Sequence, residues 1–187
     1  MHYVDQNGDH RIDSKDRVAL GSAAPDFFGG FYTQFKYKGF ALGAEFSYSK
    51  GNMAYNAVRN QLEGMNTLGN QSIAVLNRWS LDGQVTNMPR VQHNDPYRST
   101  SFSERWLEDA SYLRMKSVTL SYSFDKTVLN FFRSGTLYVS GENLLTATKY
   151  LGLDPEFSYS YGETSQGLDY AKMVQPKSVK FGVNLKF

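Results

Sequence analysis

Apolar and polar residues alternate one by one over several stretches of this chain, most clearly over its last ten residues. The apolar positions of that stretch are Val179, Phe181, Val183, Leu185 and Phe187, and the polar ones are Ser178, Lys180, Gly182, Asn184 and Lys186. A period of two predicts a β-strand with one apolar and one polar face. Because this strand ends on an aromatic residue, the pattern favours a strand of an outer-membrane barrel over an ordinary sheet strand. In such a barrel the apolar face meets lipid, and the last ring lies at the membrane interface.

The same alternation predicts four further strands, at about 28–37, 40–50, 112–124 and 135–145, of which the last is the least regular. Lys38 and Gly39 predict a tight turn between the first two, since glycine supplies the positive φ that such hairpins need. The connections are alternately short and long, with about two, sixty, ten and thirty residues. Outer-membrane barrels have short turns on the periplasmic side and long loops outside. Counting back from a C-terminal strand that ends in the periplasm places residues 1–27 and both long loops outside the cell.

The connection of about sixty residues contains two stretches, 55–62 and 73–79, whose Ala, Leu, Val, Arg and Gln content predicts short helices. A loop of this length is normally functional or disordered. Its Met, Trp and Tyr content argues against disorder.

The predicted strands and connections divide the chain into an extracellular acidic segment, residues 1–27, and a segment of barrel strands and loops, residues 28–187.

Composition narrows the class of protein. The chain has thirteen Tyr, thirteen Phe and two Trp, an aromatic excess that is common in sheets with interfacial belts. Twenty basic against eighteen acidic residues leave no electrostatic footprint for nucleic acid, and the absence of cysteine excludes a disulfide framework. No apolar run reaches the roughly twenty residues of a transmembrane helix, and the polar start has no signal peptide. A barrel protein without an export signal is expected to be part of a longer chain.

An acidic motif near the start predicts a calcium-binding loop. Its candidate ligands occupy positions 1, 3, 5, 7, 9 and 12 of an EF-hand-type loop, and they are Asp5, Asn7, Asp9, the backbone carbonyl of Arg11, Asp13 and Asp16. Calcium takes about six to eight oxygen ligands at once, which explains the clustering of such residues. Two departures weaken the match: His10 replaces the glycine of the sharp turn, and Asp16 replaces the usual glutamate, as in dockerin-like loops. The alternative is an acidic, solvated turn.

The sequence gives little support to catalysis. The three histidines are far apart and lie beside no candidate nucleophile or metal cluster. Glu104 and Glu108 have a helical spacing that could pair two carboxylates, but a solvated salt-bridge turn is the favoured interpretation. We therefore expect that the protein is not an enzyme.

Aromatic residues in the long external loops are candidate ligand contacts. They are Trp79, Tyr97, Tyr159, Tyr161 and Tyr170. Sugar rings stack on such side chains, and peptides use them as anchors. The alternative is that these rings pack the loops together.

Short motifs occur in a fixed order along the chain. They are DQNGD (5–9), GSAAPDFFGG (21–30), YKGFAL (37–42), GN (51–52), YN (55–56), RW (78–79), WLEDASYLRMKSVTLSY (106–122), LYVSGENLL (137–145), TKY (148–150), DPE (154–156) and the strand that ends on Phe187. Together they resemble the C-terminal part of the SusC/RagA-type TonB-linked outer-membrane transporters of Bacteroidetes. The resemblance covers nearly the whole chain. The last octet is similar to the terminal assembly signal of such barrels, with Gly182, Leu185 and Phe187 at its characteristic positions.

The resemblance implies an all-β fold, in which antiparallel strands form the C-terminal part of a large transmembrane β-barrel and long extracellular loops contain short helices. Such barrels have about 22 strands and a plugged lumen. The resemblance also implies nutrient import of glycans or peptides across the outer membrane, driven by TonB through an N-terminal part upstream. Its implied partners are a SusD-like surface lipoprotein and the barrel-assembly machinery. The alternative is a secreted or surface β-sandwich binding module with a calcium loop, whose apolar strand faces are buried against each other.

Overall fold

The computed structural model describes residues 3–96, 98–125, 133–157 and 166–186. Its strands are β1 (Phe27–Tyr37), β2 (Phe40–Lys50), β3 (Met53–Asn56), β4 (Leu107–Asp109), β5 (Tyr112–Asp125), β6 (Ser134–Thr148), β7 (Leu168–Asp169) and β8 (Ser178–Lys186). Its helical elements are α1 (Ala57–Glu63) and the 3₁₀ turns Ser14–Asp16, Ile73–Asn77 and Glu104–Trp106. No helix in the described ranges is long and apolar enough to cross a membrane.

Contacts within the chain group its residues into two compact units, each assembled from separate stretches. The sheet unit consists of Ala24–Asn52, Asp109–Phe157 and Met173–Phe187. The loop unit consists of Met1–Ala23, Met53–Glu108 and Ser158–Lys172. Residues 1–23 of the acidic segment therefore group with the long connection between β2 and β5. A domain division at residue 27 stays a prediction, since units formed by contacts are not necessarily domains.

Five strands form the main sheet, in the order β1-β2-β5-β6-β8, and all neighbours are antiparallel. All five strands that the alternation predicts are present, and the all-β antiparallel fold is confirmed. In this sheet β1 pairs only with β2, and β8 only with β6. Each of these two strands therefore has one edge with no strand partner among the described residues. The short strands form a second sheet, β4-β3-β7, which the sequence did not predict.

The register places the apolar residues of neighbouring strands on one face of the main sheet. One row across it consists of Phe35, Leu42, Leu120, Val139 and Phe181. This face is open to solvent in the chain: Phe35 is 68% and Phe181 81% exposed. A β-sandwich would bury such a row against a second sheet. The exposed face therefore argues against the β-sandwich alternative.

The hairpin between β1 and β2 turns at Lys38 and Gly39, as predicted. Both residues have positive φ, +46° and +88°, which is the backbone conformation of a two-residue type I′ turn. Glycine is also required at the second position by a close approach. A Cβ on Gly39 would lie 2.7 Å from the carbonyl oxygen of Ser123, whose amide donates a 2.8 Å hydrogen bond to the carbonyl oxygen of Gly39.

Two irregularities interrupt the regular pairing of the main sheet. On β5, Lys116 is an extra residue relative to β2. Strict alternation would place Met115 and Val118 on opposite faces because they are three residues apart, but the bulge at Lys116 brings both to the apolar face. On β6 the register shifts beside Asn143, whose φ is +52°. This shift explains why the alternation is least regular in that strand.

The loop unit has a small core of its own. Its buried apolar residues are Ala54, Ala57, Met65, Val75, Met88 and Trp106. The side chain of Asn56 accepts a 2.8 Å hydrogen bond from the amide of Arg59 and so caps α1. Helix α1 and the 3₁₀ turn Ile73–Asn77 confirm the helices predicted at 55–62 and 73–79; α1 starts two residues later and ends one residue later than predicted, and the 3₁₀ turn ends two residues earlier.

Candidate functional site

The polar face of the main sheet presents hydroxyl, amide and charged groups. On β5 the residues that alternate with the apolar row are Ser117, Thr119, Ser121 and Ser123. The hydroxyls of Ser123 and Thr136 are 3.1 Å apart, and the Lys180 ammonium pairs with Glu142 across β8 and β6. A face of this kind suits contact with water, as in the lumen of a barrel, because its polar groups stay solvated or paired.

Arg114 of β5 is a buried cation on this face, with its side chain 3% exposed. Its Nη2 donates a hydrogen bond to Asp154, and its Nη1 lies 3.1 Å from Oε2 of Glu156 without the alignment of a hydrogen bond. The Lys116 ammonium donates to both oxygens of Glu156, at 2.8 and 2.6 Å. We call Arg114, Lys116, Asp154 and Glu156 the Arg114 cluster. It holds both acidic residues of the DPE motif against β5.

Asp154 also joins two distant points of the segment between β6 and β8. Its Oδ1 accepts a hydrogen bond from the amide of Glu156 at 2.9 Å, and its Oδ2 accepts one from the amide of Gln175 at 3.1 Å. Burial raises the pKa of Asp154, but the bonds from Arg114 and from the two amides outweigh it and hold the pKa below its usual value of 3.8. The carboxylate is therefore ionised at neutral pH. Its hydrogen bonds connect the two ends of the segment between β6 and β8 to Arg114 of β5.

A second charged cluster lies in the loop unit, around the fully buried Trp106. Arg59 on α1 donates to Glu63 at 3.0 Å and to Glu108 at 2.5 Å. The guanidinium carbons of Arg59 and Arg105 lie 5.5 and 4.8 Å from the centre of the Trp106 ring, within the range of cation–π attraction. Burial acts to lower the pKa of Arg59, but its bonds to Glu108 and Glu63 raise it above the usual value. The cluster fixes α1 against β4.

The prediction of a solvated salt-bridge turn at Glu104 and Glu108 is wrong for Glu108. Its side chain is 9% exposed and pairs with Arg59, 49 residues earlier in the chain. The 3₁₀ turn ends at Trp106, and Glu108 lies on β4. The two carboxylates therefore do not share a helix face, although their spacing would allow it.

The acidic segment forms a turn whose backbone resembles the predicted EF-hand-type loop. His10 has a φ of +60°, so the sharp turn at position 6 forms although the residue is not glycine. The oxygens of Asp5 accept hydrogen bonds from the amides of Gly8 and His10, both at 2.7 Å. Asp16 accepts a 2.9 Å hydrogen bond from the amide of Gln6, which brings the two ends of the loop together.

The side chains of this segment bond to its own backbone and amide groups. The Asn7 amide donates to Asp9 at 3.1 Å, the backbone amide of Arg11 donates to Asp9 at 2.9 Å, and Asp13 caps the 3₁₀ turn Ser14–Asp16. Within the described residues, no three His, Asp or Glu side chains lie close enough to hold a metal ion. Calcium binding by this segment stays a prediction.

Of the loop aromatic residues, Tyr97, Tyr159 and Tyr161 lie outside the described part of the chain. Trp79 is half-buried, and its ring centre lies 5.7 Å from the guanidinium carbon of Arg90. Tyr170 is exposed. Trp79 thus packs within its own loop, as the alternative interpretation expects. Ligand contact by these aromatic residues stays a prediction.

In the terminal strand, Gly182 lies opposite Tyr138 of β6. A Cβ on Gly182 would overlap the Tyr138 ring, so the glycine allows the ring to lie across β8. Leu185 lies on the apolar face opposite Gly135. Phe187 is outside the described residues. The role of Gly182, Leu185 and Phe187 as an assembly signal stays a prediction.

Known proteins with similar sequences are TonB-dependent receptors. The chain is 32% identical to TonB-dependent receptor P3 of Formosa agariphila over 192 residues, which cover 99% of this chain and 19% of that protein. It is 26% identical to TonB-dependent receptor SusC of Bacteroides thetaiotaomicron, over 99% of this chain and 17% of that protein. The chain thus spans about a fifth of the length of the curated relatives it matches. No protein-family model matches the chain.

Solved structures with a similar fold include the RagAB peptide importer. Its 'open-open' state matches with a TM-score of 0.77 and 28% identity, over 99% of this chain and 20% of that chain. The 'closed-closed' state matches with a TM-score of 0.74 and 26% identity, over 96% of this chain and 20% of that chain. The strands of the main sheet match the C-terminal β-barrel part of such structures. These relatives are receptors and transporters, in line with the expectation that the chain is not an enzyme.

Proposed function

Because the chain belongs to the SusC/RagA family of TonB-dependent receptors, we propose that it supplies strands and loops to an importer in a Gram-negative outer membrane. Receptors of this type are outer-membrane β-barrel proteins. The complete importer would take up glycans or peptides. Its energy would come from TonB, through an N-terminal part that lies outside the fifth of its relatives that this chain matches.

The observation that carries this proposal is the main sheet, with one exposed apolar face and one polar face. In water, a row in which Phe35 and Phe181 are mostly exposed is unfavourable, because apolar surface is left hydrated. In a membrane barrel, lipid covers the apolar face and an aqueous lumen solvates the polar one. Lipid offers no hydrogen-bond partner to an unpaired backbone, so the free edges of β1 and β8 would require neighbouring barrel strands.

We assign two partners to this importer by the same reasoning. A SusD-like surface lipoprotein would bind on the loop side, and the barrel-assembly machinery would insert the strands. The support for the lipoprotein is the similarity to SusC and to the RagAB peptide importer. The similarity to a peptide importer also supports peptides as one substrate class. Exposed aromatic residues such as Tyr170 suit peptides and glycans alike.

The test is nutrient uptake by the full-length receptor that contains this chain. We expect deletion of the receptor gene to abolish growth on at least one peptide or oligosaccharide mixture that is supplied as the sole nutrient source. Reintroducing the complete gene should restore this growth. Deletion of TonB should give the same defect, and a surface lipoprotein should co-purify with the tagged receptor. Recovery of the receptor from the soluble fraction would contradict the proposal. So would unchanged growth of the deletion strain on every mixture tested.

We further propose that the acidic segment binds calcium, which would fix its loop outside the cell. The support is the loop backbone, with its left-handed residue at His10, together with the oxygen donors Asp5, Asp9 and Asp16. Replacing Asp9→Ala in the full-length receptor should lower its calcium affinity in isothermal titration calorimetry. Asp82→Ala, which removes an exposed carboxylate elsewhere in the loop unit, is the matched control. Equal calcium affinity in the two variants would contradict the proposed calcium site.

A further inference from the structure

A cavity of about 610 Å³ opens on the main sheet, beside the last residue of β2, Lys50, and the first residue of β5, Tyr112. Its apolar wall is formed by Phe27, Tyr48, Leu113 and Ala147. Tyr48 lies opposite Leu113, and Leu113 lies opposite Ala147, so these side chains belong to the last apolar row before the strands end. The cavity is therefore at the margin of the face that the proposed function assigns to lipid.

Aromatic rings lie at both ends of this apolar face. At the cavity end, the rings of Phe27 and Tyr48 meet edge to face with their centres 6.1 Å apart, and at the other end those of Phe40 and Tyr122 are 4.6 Å apart. Phe40 and Tyr48 are eight residues apart on β2. That is about 27 Å along a strand, or about 20 Å across a membrane at a tilt of about 40°. Aromatic girdles at such a separation mark the two membrane interfaces, which places the cavity at interface level.

Two lysines line the cavity beside the apolar row: Lys50 at the end of β2 and Lys149 just after β6. The Lys50 Nζ is 3.7 Å from Oδ2 of Asp109, and both side chains are substantially exposed. An exposed ion pair at this distance is weak, so it leaves the ammonium available to another anion. Since Asp109 is the one acidic residue among the lining residues, two lysines and one aspartate give the lining a net charge of +1.

We propose that this cavity binds the phosphorylated headgroup of an anionic membrane lipid, with the acyl chains lying along the apolar row. The proposal rests on the proposed function, because it requires the apolar face to meet a bilayer. Phe27, Tyr48 and Leu113 offer an apolar wall to a hydrocarbon chain, and Lys50 and Lys149 offer two cations to a phosphate. A soluble anion would use only the lysines, and an uncharged lipid only the apolar wall. An amphiphile with a phosphate headgroup uses both.

The experiment measures lipid binding to the full-length receptor in a neutral detergent by native mass spectrometry. The probes are short-chain phosphatidic acid and phosphatidylcholine of the same chain length. We expect tighter binding of phosphatidic acid. Each lysine near a membrane surface changes the affinity for anionic lipid about fivefold, so Lys50→Gln combined with Lys149→Gln should weaken phosphatidic acid binding about thirtyfold. The control combines Lys36→Gln and Lys186→Gln, which remove the same charge from the polar face, and should bind as the unaltered receptor does.

Asp109→Asn gives a test of opposite sign. It removes the carboxylate that competes for Lys50 and keeps an oxygen for the amide of Ser111, which donates to Asp109 at 2.9 Å. We expect phosphatidic acid to bind about threefold to fivefold more tightly to this variant. Equal affinity for the two lipids, equal losses in the two double variants, or weaker binding to Asp109→Asn would each overturn the lipid site.

Import is measured in parallel, so that the two proposals are tested separately. A receptor that imports normally but has no preference for phosphatidic acid contradicts the lipid site and leaves the proposed function intact. A receptor that prefers phosphatidic acid through Lys50 and Lys149 but imports nothing contradicts the proposed function alone.

Discussion

Replacing Asp154→Asn removes the negative charge that balances the buried Arg114 guanidinium, while keeping the size of the side chain. Removal of one partner from a buried ion pair costs about 3–5 kcal/mol, because the other charge stays buried without compensation. Glu156 remains close to Arg114, with Oε2 3.1 Å from Nη1. We therefore expect a cost near the lower end of that range, about 3 kcal/mol, which corresponds to a factor of about 150 in the opening equilibrium of the segment.

Amide hydrogen exchange on the full-length receptor measures this opening where it occurs. The amides of Glu156 and Gln175 donate directly to Asp154, so their exchange should become about a hundredfold faster in Asp154→Asn. The control is Glu142→Gln, which breaks the exposed pair with Lys180 and should leave the exchange of these two amides unchanged. Exchange rates in Asp154→Asn within about threefold of the original would refute the reasoning.

A double-mutant cycle with Arg114→Met separates the ion pair from the rest of the Asp154 contacts. Arg114→Met removes the buried cation and leaves Asp154 with its two amide donors. We expect the two substitutions together to cost less than the sum of the single costs, by about 2 kcal/mol. Strictly additive costs would show that Arg114 and Asp154 do not stabilise the segment through each other.

The pH dependence of the same exchange follows from the lowered pKa of Asp154. A carboxylate with a lowered pKa in the folded state contributes stability above its unfolded value of 3.8, and the contribution is lost as the pH falls through the folded value. After correction for intrinsic exchange, protection of the segment should be constant from about pH 8 to 5 and fall only below about pH 4. Asp154→Asn should lack this acid-dependent loss.

Other changes test separate parts of the fold. Phe181→Lys on the apolar face should destabilise the full-length receptor by about 2–4 kcal/mol in urea unfolding if that face meets lipid, whereas Asn184→Lys on the polar face should stay within about 0.5 kcal/mol; equal costs would contradict the assignment of the faces. Gly39→Val should cost at least about 2 kcal/mol, because a β-branched residue is strained at a φ of +88°, and unchanged stability would show that the turn tolerates it. Asn56→Ala should cost about 1 kcal/mol through loss of the helix cap, with faster amide exchange confined to α1; unchanged exchange there would remove the cap. The isolated chain should aggregate or require detergent, since its sheet edges and apolar face lack partners; a soluble monomer that unfolds cooperatively would contradict the barrel assignment.

The main sheet was predictable from the sequence because a sheet with one apolar face imposes a period of two on every strand. The turn at Lys38 and Gly39 was predictable because few residues adopt positive φ easily. Strands β3, β4 and β7 were not predictable, since they contain four, three and two residues, too few for a period to be visible. Their pairing depends on which distant loop segments meet.

The charged clusters show the same limit at the level of side chains. The DPE motif was visible in the sequence, but its partner was not, because Asp154 and Arg114 are 40 residues apart. A single arginine in an alternating strand is common on polar faces, so Arg114 gave no sign that it would be buried and paired. The partner of Glu108 is similarly distant, so its spacing from Glu104 indicated the wrong neighbour. Pairing of charges across strands and loops depends on register and loop path, which alternation alone leaves undetermined.

Because of the extra residue at Lys116, β5 tolerates a change of length at one place. A related strand without this residue would pair with β2 without a bulge, and Arg114 and Val118 would keep their present faces. It would lose the salt bridge from Lys116 to Glu156. A one-residue gap between Val118 and Phe124 would instead move the side chains on one side of the gap to the opposite face of the sheet. In alignments of related receptors, gaps in β5 should therefore occur at Lys116. A gap there removes a salt bridge but leaves the apolar and polar residues of the strand on their present faces.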